Sequence, residues 1–151
     1  MSIVITEPTG AIQPATQARL ADILEKCLEE FPAKLRDPDI RWDYVGKLSA
    51  LAVVVEHREE GQMVGAVALY ANDFENRAAF ITMVGVAPRH RRKGIGKALF
   101  KSAFEYLSKK GFKKVTLSVL QDNPAITLYE TFGFRRVHED GGTIEMIAEI
   151  R

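Results

Sequence analysis

The chain contains a single cysteine among its 151 residues. Cys27 therefore has no intrachain disulfide partner, which fits a reducing compartment. It falls on the apolar stripe of an expected helix, where a small core residue is a better reading than a nucleophile. Histidine is scarce as well. His57, His90 and His138 are scattered, without ligand-type spacing, so no metal site is expected. No window approaches the roughly 18 consecutive apolar residues of a membrane span. The opening MSIVITEPTG has no basic n-region, long apolar core or small-residue cleavage site, so a cytoplasmic chain with no membrane partner is expected. An excess of one charge is also missing: 21 Lys+Arg against 20 Asp+Glu leave +1. That balance disfavours a general nucleic-acid partner. No repeat or low-complexity linker is visible, and length and composition suit one domain over residues 1–151.

What is present is a regular alternation of apolar patterns. SIVIT (2–6) reads as a strand. A helix is expected over 14–30, with Leu20, Leu24, Cys27, Leu28 and Phe31 at helical spacing. Two prolines in EFPAKLRDPDI end it, and 39–49 reads as a second short helix. LAVVVEHR (51–58) and MVGAVALY (63–70) form a hairpin about a polar turn, followed by a polar loop over 71–77. AAFITMVGVA (78–87) is apolar almost throughout and reads as a central strand, with Gly85 suggesting a bulge or a close backbone approach. A helix over 94–110 carries Ile95, Ala98, Leu99, Ala103, Tyr106 and Leu107 on one face, with Gly111 as its C′ residue. Then come a strand over 113–120, a short helix over 123–132, and a final hairpin about EDGG (139–142).

One stretch asks for a ligand. RHRRKGIGKALF (89–100) packs six basic residues and two glycines between a buried strand and a helix. The first N–H groups of a helix lack internal partners, and the helix dipole adds positive charge there. Gly94 and Gly96 admit close approach to the backbone, and Arg91, Arg92, Lys93 and Lys97 add charge. The expected ligand is a phosphate or pyrophosphate. The stretch is not a Walker A loop, because GIGKA lacks that spacing and the hydroxyl after lysine. It is not a dinucleotide G-x-G-x-x-G either, because Leu99 stands at the third glycine.

VGVAPRHRRKGIGKALF resembles the acyl-CoA-binding segment of the GNAT superfamily of N-acyltransferases, with Arg91, Gly94 and Gly96 filling [QR]-x-x-G-x-[GA]. NPAITLYETFGF matches that family's second segment through Ala125, Ile126, Leu128, Tyr129, Gly133 and Phe134. The element order matches as well. The resemblance implies an α/β (α+β) fold: one GNAT-like domain with a mixed, mostly antiparallel sheet of about seven strands, about four flanking helices, and a splay at a bulge in the central strand. It implies acetyl transfer from acetyl-CoA, as cosubstrate, to a primary amine of an unidentified acceptor. Cofactor contacts are then expected from Met83, Val84, Val86, Arg91, Arg92, Lys93, Gly94, Ile95, Gly96, Lys97 and Asn123. The family commonly has Asn three residues before Ala125, where this chain has Asp122, so either Asp122 or Asn123 is expected at the pantetheine arm.

Tyr129 is the expected general acid toward the departing CoA thiolate, because a phenol stays protonated at neutral pH. No strand residue over 78–87 supplies a base. Glu56, Asp73, Glu75 and His138 stand as candidates acting through water. The acceptor region is expected over 31–50, 71–77 and 138–142. It carries Asp37, Asp39, Trp42, Asp43, Tyr44, Asp73, Glu75, Glu139 and Asp140, a set that would suit a cationic amine or simply keep the surface solvated. A non-catalytic acyl-CoA sensor and a small nucleic-acid binder using 89–97 stay open as alternatives, as does a homodimer.

Overall fold

The computed structural model describes residues 2–151. Strands β1 (Ser2–Thr6), β2 (Val53–Glu59), β3 (Gln62–Asp73), β4 (Ala78–Val86), β5 (Lys114–Leu120), β6 (Arg135–Asp140) and β7 (Thr143–Glu149) form one sheet in the order β1-β2-β3-β4-β5-β7-β6. The β4–β5 pair is parallel and the other five are antiparallel. Helices α1 (Pro14–Lys26) and α2 (Pro38–Leu51) cover one face around Leu20, Leu24, Val45 and Leu48. Helices α3 (Ile95–Lys109) and α4 (Ile126–Thr131) cover the other around Leu99, Phe100, Ala103 and Tyr129.

Several boundaries differ from the sequence reading. The first helix stops at Lys26 and gives way to a short 3-10 turn, Leu28–Glu30. The second begins earlier and runs longer than 39–49, because Asp37 caps it. Its carboxylate accepts from the Asp39 and Ile40 N–H groups at 2.9 and 3.4 Å, and Pro38 fills the first turn. Gly46 inside that helix is a packing requirement, since a Cβ there would lie 2.7 Å from Gln17 Nε2 on α1. Strand β3 runs on to Asp73, through residues read as loop. The expected helix over 123–132 shortens to α4. Its start becomes a turn in which Asn123 Oδ1 accepts from the Ala125 N–H at 2.9 Å.

The bulge in β4 is present but not at Gly85. Leu69 pairs with Ile81 and Ala68 with Met83, so Thr82 is the extra residue. The extra residue reverses which face the following side chains take. Before it, Ala79 and Ile81 pack toward α3, whereas after it Met83 packs toward α1. Gly85 sits in regular register opposite Ala66, and a Cβ there would meet Ile23 Cγ2 at 2.8 Å. The glycine is therefore required by the approach of α1. Pairing of β4 with β5 ends at Ile81–Leu117. Beyond that point the two strands diverge, and one edge of β4 from Thr82 onward is left unpaired by its neighbour.

Candidate active site

Two cavities meet at this fork. One, of about 460 Å³, runs along the end of β4 and the entry to α3 and is lined by Val86, Arg91, Arg92, Gly94, Gly96 and Lys97 among others. The other, of about 220 Å³, lies on the far side and is lined by Phe31, Leu35, Tyr44, Phe80, Thr82 and Leu117 among others. Glu30, Val84, Asn123 and Tyr129 line both. They mark the junction where a group held in the first cavity can meet one held in the second.

The α3 entry is shaped for an anion. Arg92 and Gly94 adopt left-handed backbone, with φ of 65° and 79°. Gly94 caps the helix without a side chain, and the first intrahelical bond is from the Ala98 N–H to the Gly94 carbonyl at 3.0 Å. The N–H groups of Ile95, Gly96 and Lys97 thus have no acceptor in the helix, and all three residues line the larger cavity. Gly96 also sets the fit of α4, because a Cβ there would lie 3.0 Å from Leu128 Cδ2.

The basic residues divide. Arg92 and Lys97 line the cavity, but Lys93 does not. Arg91 lines it with its charge already engaged: its guanidinium donates to Glu30 Oε1 at 2.6 Å, to the Val86 carbonyl at 3.1 Å and toward Cys27 Sγ at 3.6 Å. Asp122 is exposed and away from both main cavities, so the groove receives Asn123 instead.

Backbone direction along β4 follows from two bonds. The Ala87 N–H donates to the Val64 carbonyl of β3, and the Val86 carbonyl accepts from Arg91 on the opposite side. Alternation then turns the Met83 and Gly85 backbone groups toward β3 and those of Val84 and Val86 toward the fork. Met83 consequently gives its backbone groups to β3, while Val84 presents its N–H and carbonyl to the junction.

Tyr129 is buried in an aromatic cluster, with its ring centroid 5.3 Å from that of Phe100 and 6.0 Å from that of Phe134. No described residue hydrogen-bonds its hydroxyl, and that oxygen is not sealed from the cavities. Burial, and then the charge of Glu30, pushes the phenol above its ordinary pKa. Burial likewise raises the Cys27 thiol, consistent with a core residue and not a nucleophile. Tyr44 is pushed up to about 12 by burial. Its hydroxyl bonds the carbonyl and hydroxyl oxygens of Thr82 at 2.9 and 2.8 Å, pinning the bulge.

None of the four base candidates lines either cavity. Glu56 is fully buried and held by Arg19 at 2.8 Å and Arg58 at 3.1 Å. Asp73 accepts from the Asn76 backbone and side chain. Glu75 and His138 are exposed. The carboxylate at the junction is Glu30, which the sequence reading passed over. A signal was available: Glu30 follows Cys27 by three residues and precedes Phe31, which places it beside the apolar stripe. Of the expected acceptor residues, only Tyr44 lines the smaller cavity; Trp42 is half exposed on the outer side of α2.

Comparison with known proteins gives a family and a fold. The family model described as "Acetyltransferase (GNAT) family" matches residues 18–134. N-acetyltransferase family 8 member 3 of Rattus norvegicus is 34% identical over 106 residues, covering 67% of this chain and 45% of that protein. Mycothiol acetyltransferase of Renibacterium salmoninarum is 43% identical over 61 residues, covering 40% of this chain and 18% of that protein. The chain thus spans less than half the length of either relative. Among solved structures, the PaiA N-acetyltransferase of Thermoplasma acidophilum in complex with coenzyme A superposes with a TM-score of 0.73 at 16% identity, covering 99% of each chain. The ribosomal-protein-S18-alanine N-acetyltransferase of Escherichia coli gives 0.72 at 19% identity, covering 99% of this chain and 94% of that one. At these identities the structural likeness is one of fold.

Proposed function

This chain belongs to the GNAT acetyltransferase family, and from that premise we propose that it transfers an acetyl group from acetyl-CoA to a primary amine. The observation that carries the reading is the junction of two cavities at the β4–β5 fork, with Val84, Glu30, Asn123 and Tyr129 lining both. The pyrophosphate of CoA lies against the free N–H groups of Ile95, Gly96 and Lys97, with Arg92 and Lys97 adding charge. The pantetheine arm runs along the open edge of β4, beside Asn123, and brings the thioester carbonyl to Val84. There the Val84 N–H stabilises the oxyanion formed when the amine attacks.

As the tetrahedral intermediate collapses, the C–S bond breaks and the Tyr129 hydroxyl donates its proton to the sulfur. The ordinary phenol pKa already keeps the hydroxyl protonated at neutral pH, and burial raises it further, so the proton is in place when the thiolate departs. Glu30 is the carboxylate placed to take the proton that the attacking amine loses, directly or through water. Arg91 holds that carboxylate in position, and its engagement with Glu30 counts against a loop built to grip nucleic acid. The lone buried Cys27 fits work in the reducing cytoplasm.

The test is thiol release. Incubation with acetyl-CoA and a panel of primary amines should give amine-dependent free CoA. Release that no amine raises above the acetyl-CoA blank, in a protein that also fails to bind acetyl-CoA, would contradict the reading.

A further inference from the structure

The smaller cavity has the wrong lining for a polycation. The seven acidic residues of the expected acceptor region, Asp37, Asp39, Asp43, Asp73, Glu75, Glu139 and Asp140, all lie off its wall. Its one carboxylate is Glu30, and that is already paired with Arg91 at 2.6 Å. A second ammonium entering there would lose its water without gaining a counter-charge, which is costly. Lys34, at the same cavity, adds repulsion.

The rest of the wall is uncharged: Thr82, Ser118, Asn123 and Thr143 are its small polar groups, and apolar and aromatic side chains make up most of the remainder. Phe31, Leu35, Met83, Leu117 and Val119 close it, and Phe80 stands 39% exposed on the central strand at its edge. A phenylalanine held that open on a strand flanked by neighbours offers an apolar surface for a ligand to cover. The cavity's 220 Å³ lies below the usual range for drug-sized sites, about 300–1,000 Å³, so it fits one ring or one branched chain and no oligosaccharide. The Tyr44 hydroxyl is spent on Thr82, although the residue lines the cavity.

We infer that the acceptor is a primary amine borne on a single apolar or aromatic group and carrying a carboxylate, as in a hydrophobic amino acid, with Phe80 against its apolar part and Lys34 facing its carboxylate. This rests on the acetyl-transfer reading and narrows it. Polyamines and aminoglycosides are thereby excluded as preferred acceptors.

The experiment uses three probes, L-phenylalanine, 2-phenylethylamine and spermidine, against the intact protein. Acetyl-CoA binding is first measured alone by calorimetry. Probe binding to the CoA-loaded protein is then followed by saturation-transfer NMR, and kcat/KM by CoA release. Both aromatic probes should exceed spermidine by about tenfold or more, the worth of burying one ring. Phe80→Ala should reduce that margin, and Lys34→Glu should lower the ratio of phenylalanine to phenylethylamine. A melting curve for each variant checks folding, and the wild-type ranking of probes stands independently of both. Spermidine equal to or above the aromatic amines, or no aromatic binding to the CoA-loaded protein, overturns the inference while acetyl-CoA binding leaves the acetyl-transfer reading standing. Absence of acetyl-CoA binding overturns both.

Discussion

At the scale of single residues, the proposed chemistry concentrates on Tyr129. Its ring is fixed by Phe100 and Phe134, so removing the hydroxyl leaves the packing in place. Tyr129→Phe should lower kcat toward the low end of the about 10²–10⁴-fold range of general acid catalysis, with little change in the KM for acetyl-CoA. The low end is expected because CoA thiolate, with an acidity near that of cysteine at about 8.5, leaves tolerably without help. The pH profile gives a second check. An acid works in its protonated form, and a raised pKa extends that form to higher pH. The wild-type kcat should therefore hold through the ordinary phenol pKa of about 10, and a decline there that is present in wild type and absent from Tyr129→Phe would contradict the raised pKa. Steady-state kinetics with chemistry limiting measures both. Unchanged kcat in the variant would return Tyr129 to the core.

Strand β4 organises the site at the scale of elements. One extra residue, Thr82, turns the strand's apolar side chains from one core to the other and ends its pairing with β5. The neighbouring glycine has a different task. Gly85→Val would drive side-chain atoms into Ile23 of α1, which already stands 2.8 Å from the position of a Cβ. A loss of about 1–3 kcal/mol is expected, measured by urea unfolding, and a variant as stable as wild type would show that α1 can retreat.

The sequence carried the elements and their order because apolar period and turn residues are local. It carried the α3 entry for the same reason, since Gly94, Gly96 and the basic residues are contiguous. It did not carry the position of the bulge, which depends on β3 register and on Tyr44 pinning Thr82 from another element. Nor did it reveal Glu30, whose position follows from a 3-10 turn that breaks the helix and brings it to Arg91, 61 residues away in sequence. Asp37–Pro38 is a readable helix start, but Pro32 and Pro38 together read equally well as the end of the preceding helix.

For the molecule as a whole, near-neutral charge and an unremarkable core leave function to one fork in the sheet. The end of that fork proposed to take the pyrophosphate is backbone at a helix start, so on this reading binding is insensitive to most surface substitutions and sensitive to anything that fills Gly96. Calorimetric titration of acetyl-CoA into wild type and Gly96→Glu tests the central claim most directly. The account predicts saturable one-site binding to wild type, lost in the variant because the new side chain meets Leu128 and repels the pyrophosphate, with circular dichroism showing the fold retained. No binding to wild type, or equal binding to a folded Gly96→Glu, would contradict it.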